Sequence, residues 1–189
     1  MEVPFTRIPP LLHDLGTALL PLFDKRFVFF GHSMGAILSF ELTRWLRSER
    51  NSMPECLFVS GRRAPQIADL DPPCHLMNDA DFLAEIRKLN STPEEVLGNP
   101  DLLQLVLPTL RADAELCETY QYVDGARLPC PIVAFAGTKD EEETVERMRE
   151  WHVQTTGSFS LHALPGDHFF IHSSERQVIE LLLRELQRR

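Results

Sequence analysis

No CxxC pair occurs anywhere in the sequence, and its four cysteines, at 56, 74, 117 and 130, follow no paired spacing. That pattern argues against a disulfide framework and against a structural zinc site, and no His/Cys cluster has metal-ligand spacing. Three of the four cysteines sit beside apolar residues or prolines, which suits reduced thiols in a cytoplasmic protein. No stretch reaches 18 uninterrupted apolar residues, so no membrane-spanning helix is expected. The amino terminus, Met1-Glu2-Val3-Pro4-Phe5, has no basic segment leading into an apolar run, so no signal peptide is expected. Positive charge is scarce too: 28 acidic side chains outnumber 19 basic ones, for a formal net charge of −9. Nucleic acid and anionic membrane both need a basic surface, and neither is an expected partner. Internal repeats and low-complexity tracts are absent. What remains fits one domain, because 189 residues can bury a core but scarcely divide into two.

The apolar pattern alternates between two periods. Ile8, Leu11, Leu12, Leu15, Leu19 and Leu22 recur three and four apart and predict a helix over 8–23, with Pro9 and Pro10 in its first turn. Phe27 to Phe30 is a continuous apolar run, as in a strand buried on both faces of a parallel sheet. A second helix is predicted from Met34 to about Arg50. Further strands are predicted at 56–60, 132–136 and 159–164. Helical spacing returns at 79–89 and 101–120, broken by Ser91-Thr92-Pro93 and Asn99-Pro100, and forms an insertion between strands. A helix running to about His152 follows the acidic loop from Gly137 to Glu143. The last, from Ser174 to Arg188, opens on a capping-box pair, Ser174 and Gln177. Strands alternating with helices imply an α/β fold with a mostly parallel sheet.

One pentapeptide carries the chemistry. Gly31-His32-Ser33-Met34-Gly35 stands between a predicted strand and a predicted helix, the context of a nucleophile elbow. Glycines two residues either side of the serine are expected to remove clashes with the neighbouring strand and helix. The turn would lift the Ser33 hydroxyl above the carboxyl edge of the sheet and aim the Met34 N–H at an oxyanion, helped by the helix amino terminus. Serine is a weak nucleophile and needs a base, which needs an orienting acid. In this arrangement the order is serine, acid, histidine, each at a strand end. His168, after the Pro165-Gly166-Asp167 turn, and Asp140, in the loop after the third strand, fill those places. His32, His162 and His172 are weaker candidates for the base, Asp167 adjoins it too closely, and Glu141, Glu142 and Glu143 are alternatives to Asp140.

With these residues placed, the chain resembles the type II thioesterases of nonribosomal peptide and polyketide assembly lines, relatives of the medium-chain thioesterase of vertebrate fatty acid synthase. The resemblance rests on "GHSMGA", "VSGRRAP" at 59–65, "TPEEVLGNPDLL" at 92–103, "LPTLRADAELCETYQY" at 107–122, "CPIVAFAGTKD" at 130–140 and "LPGDHFF" at 164–170. It implies an α/β-hydrolase fold over 1–189, with a helical lid at about 76–122. It also implies Ser33 as nucleophile, His168 as base, Asp140 as its partner and no cofactor. The implied partner is an acyl or peptidyl carrier protein bearing a phosphopantetheine thioester.

The chain departs from that family in two places. Ser91-Thr92-Pro93 stands where Gly-Thr-Pro is usual. The family's early Phe-Pro-x-x-Gly-Gly segment and its neighbouring strands have no counterpart before Met1. The expectation is therefore a hydrolase domain without its amino-terminal strands, from a truncated product or a misassigned start. Such a chain would lack one oxyanion donor, which typically costs about a hundred- to a thousandfold in rate. It would also leave the Phe27–Phe30 strand on an open edge. A general carboxylesterase of the same fold and a binding remnant without turnover are the alternative functions.

Overall fold

Each apolar run becomes a strand of one parallel sheet in the computed structural model, which describes residues 3–69, 71–89 and 92–188. Ser91 at the helical break, and Met1 and Glu2 at the amino terminus, lie outside the described residues. The strands β1 (Phe29–His32), β2 (Leu57–Ser60), β3 (Ile132–Gly137) and β4 (Phe159–Leu164) lie side by side in chain order. Phe29 registers with Leu57, Leu57 with Ile132 and Ile132 with Phe159. All carboxyl ends consequently share one edge, where the segments after β1, β3 and β4 emerge.

The chain divides into two compact units. The sheet unit comprises Leu15–Ile67 and the chain from Val123 onward. In it β2 and β3 are buried at every residue, as continuous apolar strands must be. Phe58, Val133, Phe135 and Leu164 form one core cluster with Phe170 and Val178, the latter on α8 (Glu175–Gln187). The alternate residues Leu57, Val59, Ile132 and Ala134 turn to the opposite face and are equally buried. There α2 (Met34–Arg50) packs on β1 and β2, and its Phe40 ring meets Trp151 edge-on at 5.4 Å.

Three local expectations are corrected. β1 starts at Phe29 rather than Phe27 and is only partly buried, with Phe30 41% exposed, because it has a sheet neighbour on one side alone among the described residues. The helix after β3, α6 (Val145–Arg149), is short and tightens into a 3₁₀ turn over Glu150–Gln154, and a single-turn helix α7 (Phe170–Ser173) precedes α8. Ser174 forms no cap bond; its hydroxyl donates to Pro165 O at 2.7 Å, tying α8 to the turn after β4.

The helical unit comprises residues up to Asp14, the start of α1 (Ile8–Leu19), together with Ala68–Tyr122. Its helices α3 (Asp79–Leu89), α4 (Glu94–Leu97) and α5 (Pro100–Glu118) enclose Phe82, Leu83, Ile86 and Leu97. Asn99 caps α5 by accepting from the Asp101 and Leu102 N–H groups, with Pro100 in the first turn. The side chains of α5 then pin the 3₁₀ turn Cys74–Leu76. Arg111 donates to His75 O and Met77 O at 2.6 and 2.8 Å, with its guanidinium over the Phe82 ring. Glu118 accepts from the Cys74 and His75 N–H groups at 2.8 and 3.1 Å. Burial and the nearby Glu118 carboxylate push the Cys74 thiol up to about 12. No helix among the described residues is long and apolar enough to cross a membrane.

Candidate active site

Ser33 occupies the single residue between β1 and α2, with φ 52° and ψ −119°, a conformation that costs a non-glycine residue about 1–3 kcal/mol. Its neighbours impose it. The Ser33 N–H donates to Ser60 O at 2.8 Å, and Ser33 O accepts from the Ala36 N–H at 2.9 Å. A Cβ on Gly31 would lie 2.0 Å from Gly35 O, so only glycine allows the helix to start there. Gly35 is different: a Cβ on it would meet nothing within 4 Å beyond its own helix turn. The expected clash at Gly35 is therefore absent, because its Cα faces open space on the first turn of α2.

A serine before a helix usually turns its hydroxyl back to cap the first amides. Ser33 makes no such bond; its Oγ stands 3.0 Å from His168 Nε2. Met34 is the first residue of α2, so its N–H is among those with no carbonyl partner inside the helix. His168 leaves the turn after β4, which the Lys139 N–H holds by donating to Gly166 O at 2.8 Å. His168 Nδ1 lies 2.9 Å from Asp140 Oδ2. An ionised carboxylate only accepts, so Nδ1 carries the proton and the Nε2 lone pair is left for the Ser33 hydroxyl. Asp140 Oδ1 accepts from the Glu142 and Glu143 N–H groups at 3.2 and 2.9 Å. Burial would raise its pKa, but the His168 and backbone hydrogen bonds outweigh that and hold Asp140 below the usual carboxylate range. The carboxylate stays charged, as stabilising an imidazolium requires.

The rival residues go elsewhere. His172 stacks its ring on Phe169, centroids 6.0 Å apart. His162 sits on β4 against Phe135 and 3.2 Å from Glu185. Asp167 accepts from the Phe169 N–H at 3.0 Å and shapes its turn. Glu141 and Glu142 are exposed, and Glu143 is buried with Arg63. His32 points to β2: its Nδ1 is 2.9 Å from Ser60 Oγ, and its ring lies 5.1 Å from that of His168. Burial and the neighbouring His168 push the His32 pKa down to about 4, so it is neutral beside the other imidazole. Gly61, at φ +55°, leaves it room, since a Cβ there would stand 2.6 Å from the His32 ring.

Ser60 and the Arg63–Glu143 pair are the neighbours that sequence spacing misses. Their motif, Val59-Ser60-Gly61-Arg62-Arg63, is plain in the sequence, but its partners lie 28 and 80 residues away. Among the described residues no group of three or more His, Cys, Asp or Glu side chains could hold a metal ion.

The arrangement can deliver a serine oxygen to an electrophilic carbonyl and carry its proton on an imidazole. Comparison with known proteins agrees with that chemistry. A family model described as a thioesterase domain matches residues 2–186. The chain is 43% identical over 190 residues to "Linear gramicidin dehydrogenase LgrE" of Brevibacillus parabrevis, covering 99% of this chain and 72% of that protein. It is 42% identical to "Gramicidin S biosynthesis protein GrsT" of Aneurinibacillus migulanus, covering 98% of this chain and 73% of that one. In three dimensions it resembles the type II thioesterase BorB of the borrelidin biosynthetic cluster, with TM-score 0.88 and 34% identity. That match covers 98% of this chain and 75% of BorB.

Proposed function

The chain belongs to the thioesterase family, and on that premise we propose that it hydrolyses acyl thioesters held on the phosphopantetheine arm of a carrier protein. The observation that carries this reading is the run of hydrogen bonds from Ser33 through His168 to Asp140. Ser33 Oγ attacks the thioester carbonyl as His168 Nε2 takes its proton. Met34 N–H donates to the oxyanion of the tetrahedral intermediate, where the amino terminus of α2 adds partial positive charge. Asp140 stabilises the imidazolium and keeps its ring oriented. Collapse expels the phosphopantetheine thiolate, which needs no strong general acid and takes the proton from His168. Water, with His168 again as base, then frees the carboxylic acid from Ser33.

The fold is that of the α/β hydrolases. The helical segment at about 76–122 is assigned the role of lid for the acyl group, within one hydrolase domain over 1–189. The setting proposed with it is editing or release of acyl groups in peptide, polyketide or fatty acid assembly, in keeping with relatives named for gramicidin S and borrelidin biosynthesis. A cytoplasmic location belongs to the same proposal and is supported by the unpaired spacing of the cysteines at 56, 74, 117 and 130 in the sequence. Turnover of an acyl-carrier thioester and of a p-nitrophenyl ester of equal chain length tests the substrate class. The proposal expects the thioester to react faster; faster turnover of the ester would make the chain a carboxylesterase. Absence of fluorophosphonate labelling at Ser33 in folded protein would favour a binding remnant.

A further inference from the structure

Glu143 lies three residues beyond Asp140, also carries a carboxyl group, and is a rival for the His168 ring on sequence grounds. The structure gives it another occupation. The residue is only 2% exposed, and its side chain accepts from the Arg63 N–H at 2.6 Å and from Arg63 Nε at 3.1 and 3.2 Å. Arg62 Nη1 stands 3.7 Å from the same carboxylate. Arg63, only 4% exposed, comes from the segment that follows β2, whereas Glu143 ends the loop that follows β3. Meanwhile the Glu143 backbone N–H is a donor to Asp140 Oδ1. One residue is thus gripped by its side chain and supports the acid by its backbone.

We propose that Arg63 is a positioning residue: by capturing Glu143 it sets the register of the 140–143 loop, so that Asp140 and none of the three glutamates faces His168. This rests on the reading of Ser33, His168 and Asp140 as the catalytic groups. A buried ion pair adds little net stability, because desolvation cancels most of the attraction, and well-packed apolar residues often serve as well. A pair retained there, hydrogen-bonded at three points and joined to the acid by one backbone hydrogen bond, fixes geometry. Without the guanidinium the buried Glu143 charge would keep only the Arg63 backbone N–H and the more distant Arg62 Nη1 at 3.7 Å. It would move toward water and take with it the N–H on which Asp140 Oδ1 depends.

The test compares Arg63→Met with the double variant Arg63→Met/Glu143→Met in the full chain, following kcat, KM and Tm on an acyl-carrier thioester. The downfield proton resonance of the His168–Asp140 hydrogen bond is followed alongside. Arg63→Met is expected to lower kcat about 10- to 100-fold, as small misplacements of catalytic groups do, with KM within about twofold. The double variant is expected to recover Tm but not kcat, and its downfield resonance is shifted or lost. Arg63→Lys, which keeps the charge but not the planar fork, should fall between Arg63→Met and the unmodified chain. Recovery of kcat together with Tm in the double variant would overturn the proposal and leave the pair a purely structural one. So would an Arg63→Met protein of unchanged kcat. Asp140→Asn separates the levels. If it is slow while Arg63→Met is not, only the role of Arg63 falls. If it turns over at the unmodified rate, there is no catalytic acid to position and both readings fall.

Discussion

The sheet unit and the helical unit hold their irregular segments in different ways. In the sheet unit the turns at the strand ends are tied largely by backbone: Ser33 N–H to Ser60 O, Thr138 N–H to Leu164 O, Lys139 N–H to Gly166 O. In the helical unit the turn Cys74–Leu76 hangs on two side chains of α5, Arg111 and Glu118. Strand ends in a fixed register can place reacting atoms to a fraction of an ångström, and the proposed catalytic groups Ser33, His168 and Asp140 are all found there. Side-chain anchors are easier to exchange without disturbing a hydrogen-bonded scaffold. Precision and adaptability are thus separated within the chain.

The largest expected effects strike the sheet unit. Ser33→Ala or His168→Ala should lower kcat by about 10⁴- to 10⁶-fold while leaving Tm within a few degrees, as read by thiol release from an acyl-carrier thioester. Asp140→Asn should cost about 10⁴-fold, since the His168 ring would then be offered the wrong tautomer. Phe82→Ala reverses the contrast. Removing the fully buried ring should destabilise the helical unit by about 3–5 kcal/mol and speed hydrogen exchange over α3 and α5. Fluorophosphonate labelling of Ser33 should persist, and a loss of labelling would erase the distinction between the units.

The acid side of the stability curve gives a smaller effect. His32 has a folded pKa of about 4, below the ordinary histidine value of 6.5, so the unfolded chain binds its proton first. Stability is complete above pH 6.5 and falls as pH drops toward 4, by up to about 3 kcal/mol. Urea midpoints of a His32→Gln variant should be flatter across that window. Asp140 acts lower: its depressed pKa adds stability that is present above the usual carboxylate range and is lost as pH falls through its folded value. Smallest of all, Arg176→Ala, which removes an exposed pair with Glu180 on α8, should change stability by about 0.5 kcal/mol or less.

The legible parts of the sequence are those that depend on near neighbours. Apolar runs foretold four strands, and the elbow, the Pro-Gly-Asp turn and the Gly-Thr-Lys-Asp loop located three residues that the structure brings into hydrogen-bond contact. What escaped depends on partners far along the chain. Ser174 reads as a cap yet bonds to Pro165, because the carbonyl in the turn after β4 lies within reach of its hydroxyl at 2.7 Å. Gly35 reads as a steric necessity, but only the backbone trace reveals that the crowding falls on Gly31. Arg63 enters the sequence reading only within the "VSGRRAP" run, and nothing local tells that it is buried against a glutamate 80 residues away. Spacing encodes periodicity, whereas such pairings follow from register between strands.

Capture of the acylated serine is the sharpest trial of these ideas. The protein would be quenched during turnover of a medium-chain acyl-carrier thioester and its peptides weighed by mass spectrometry. An acyl adduct on the peptide containing Ser33, absent from Ser33→Ala, is the predicted result. A Ser33→Ala protein that hydrolyses the thioester at the unmodified rate, or an adduct borne by another residue, would contradict it.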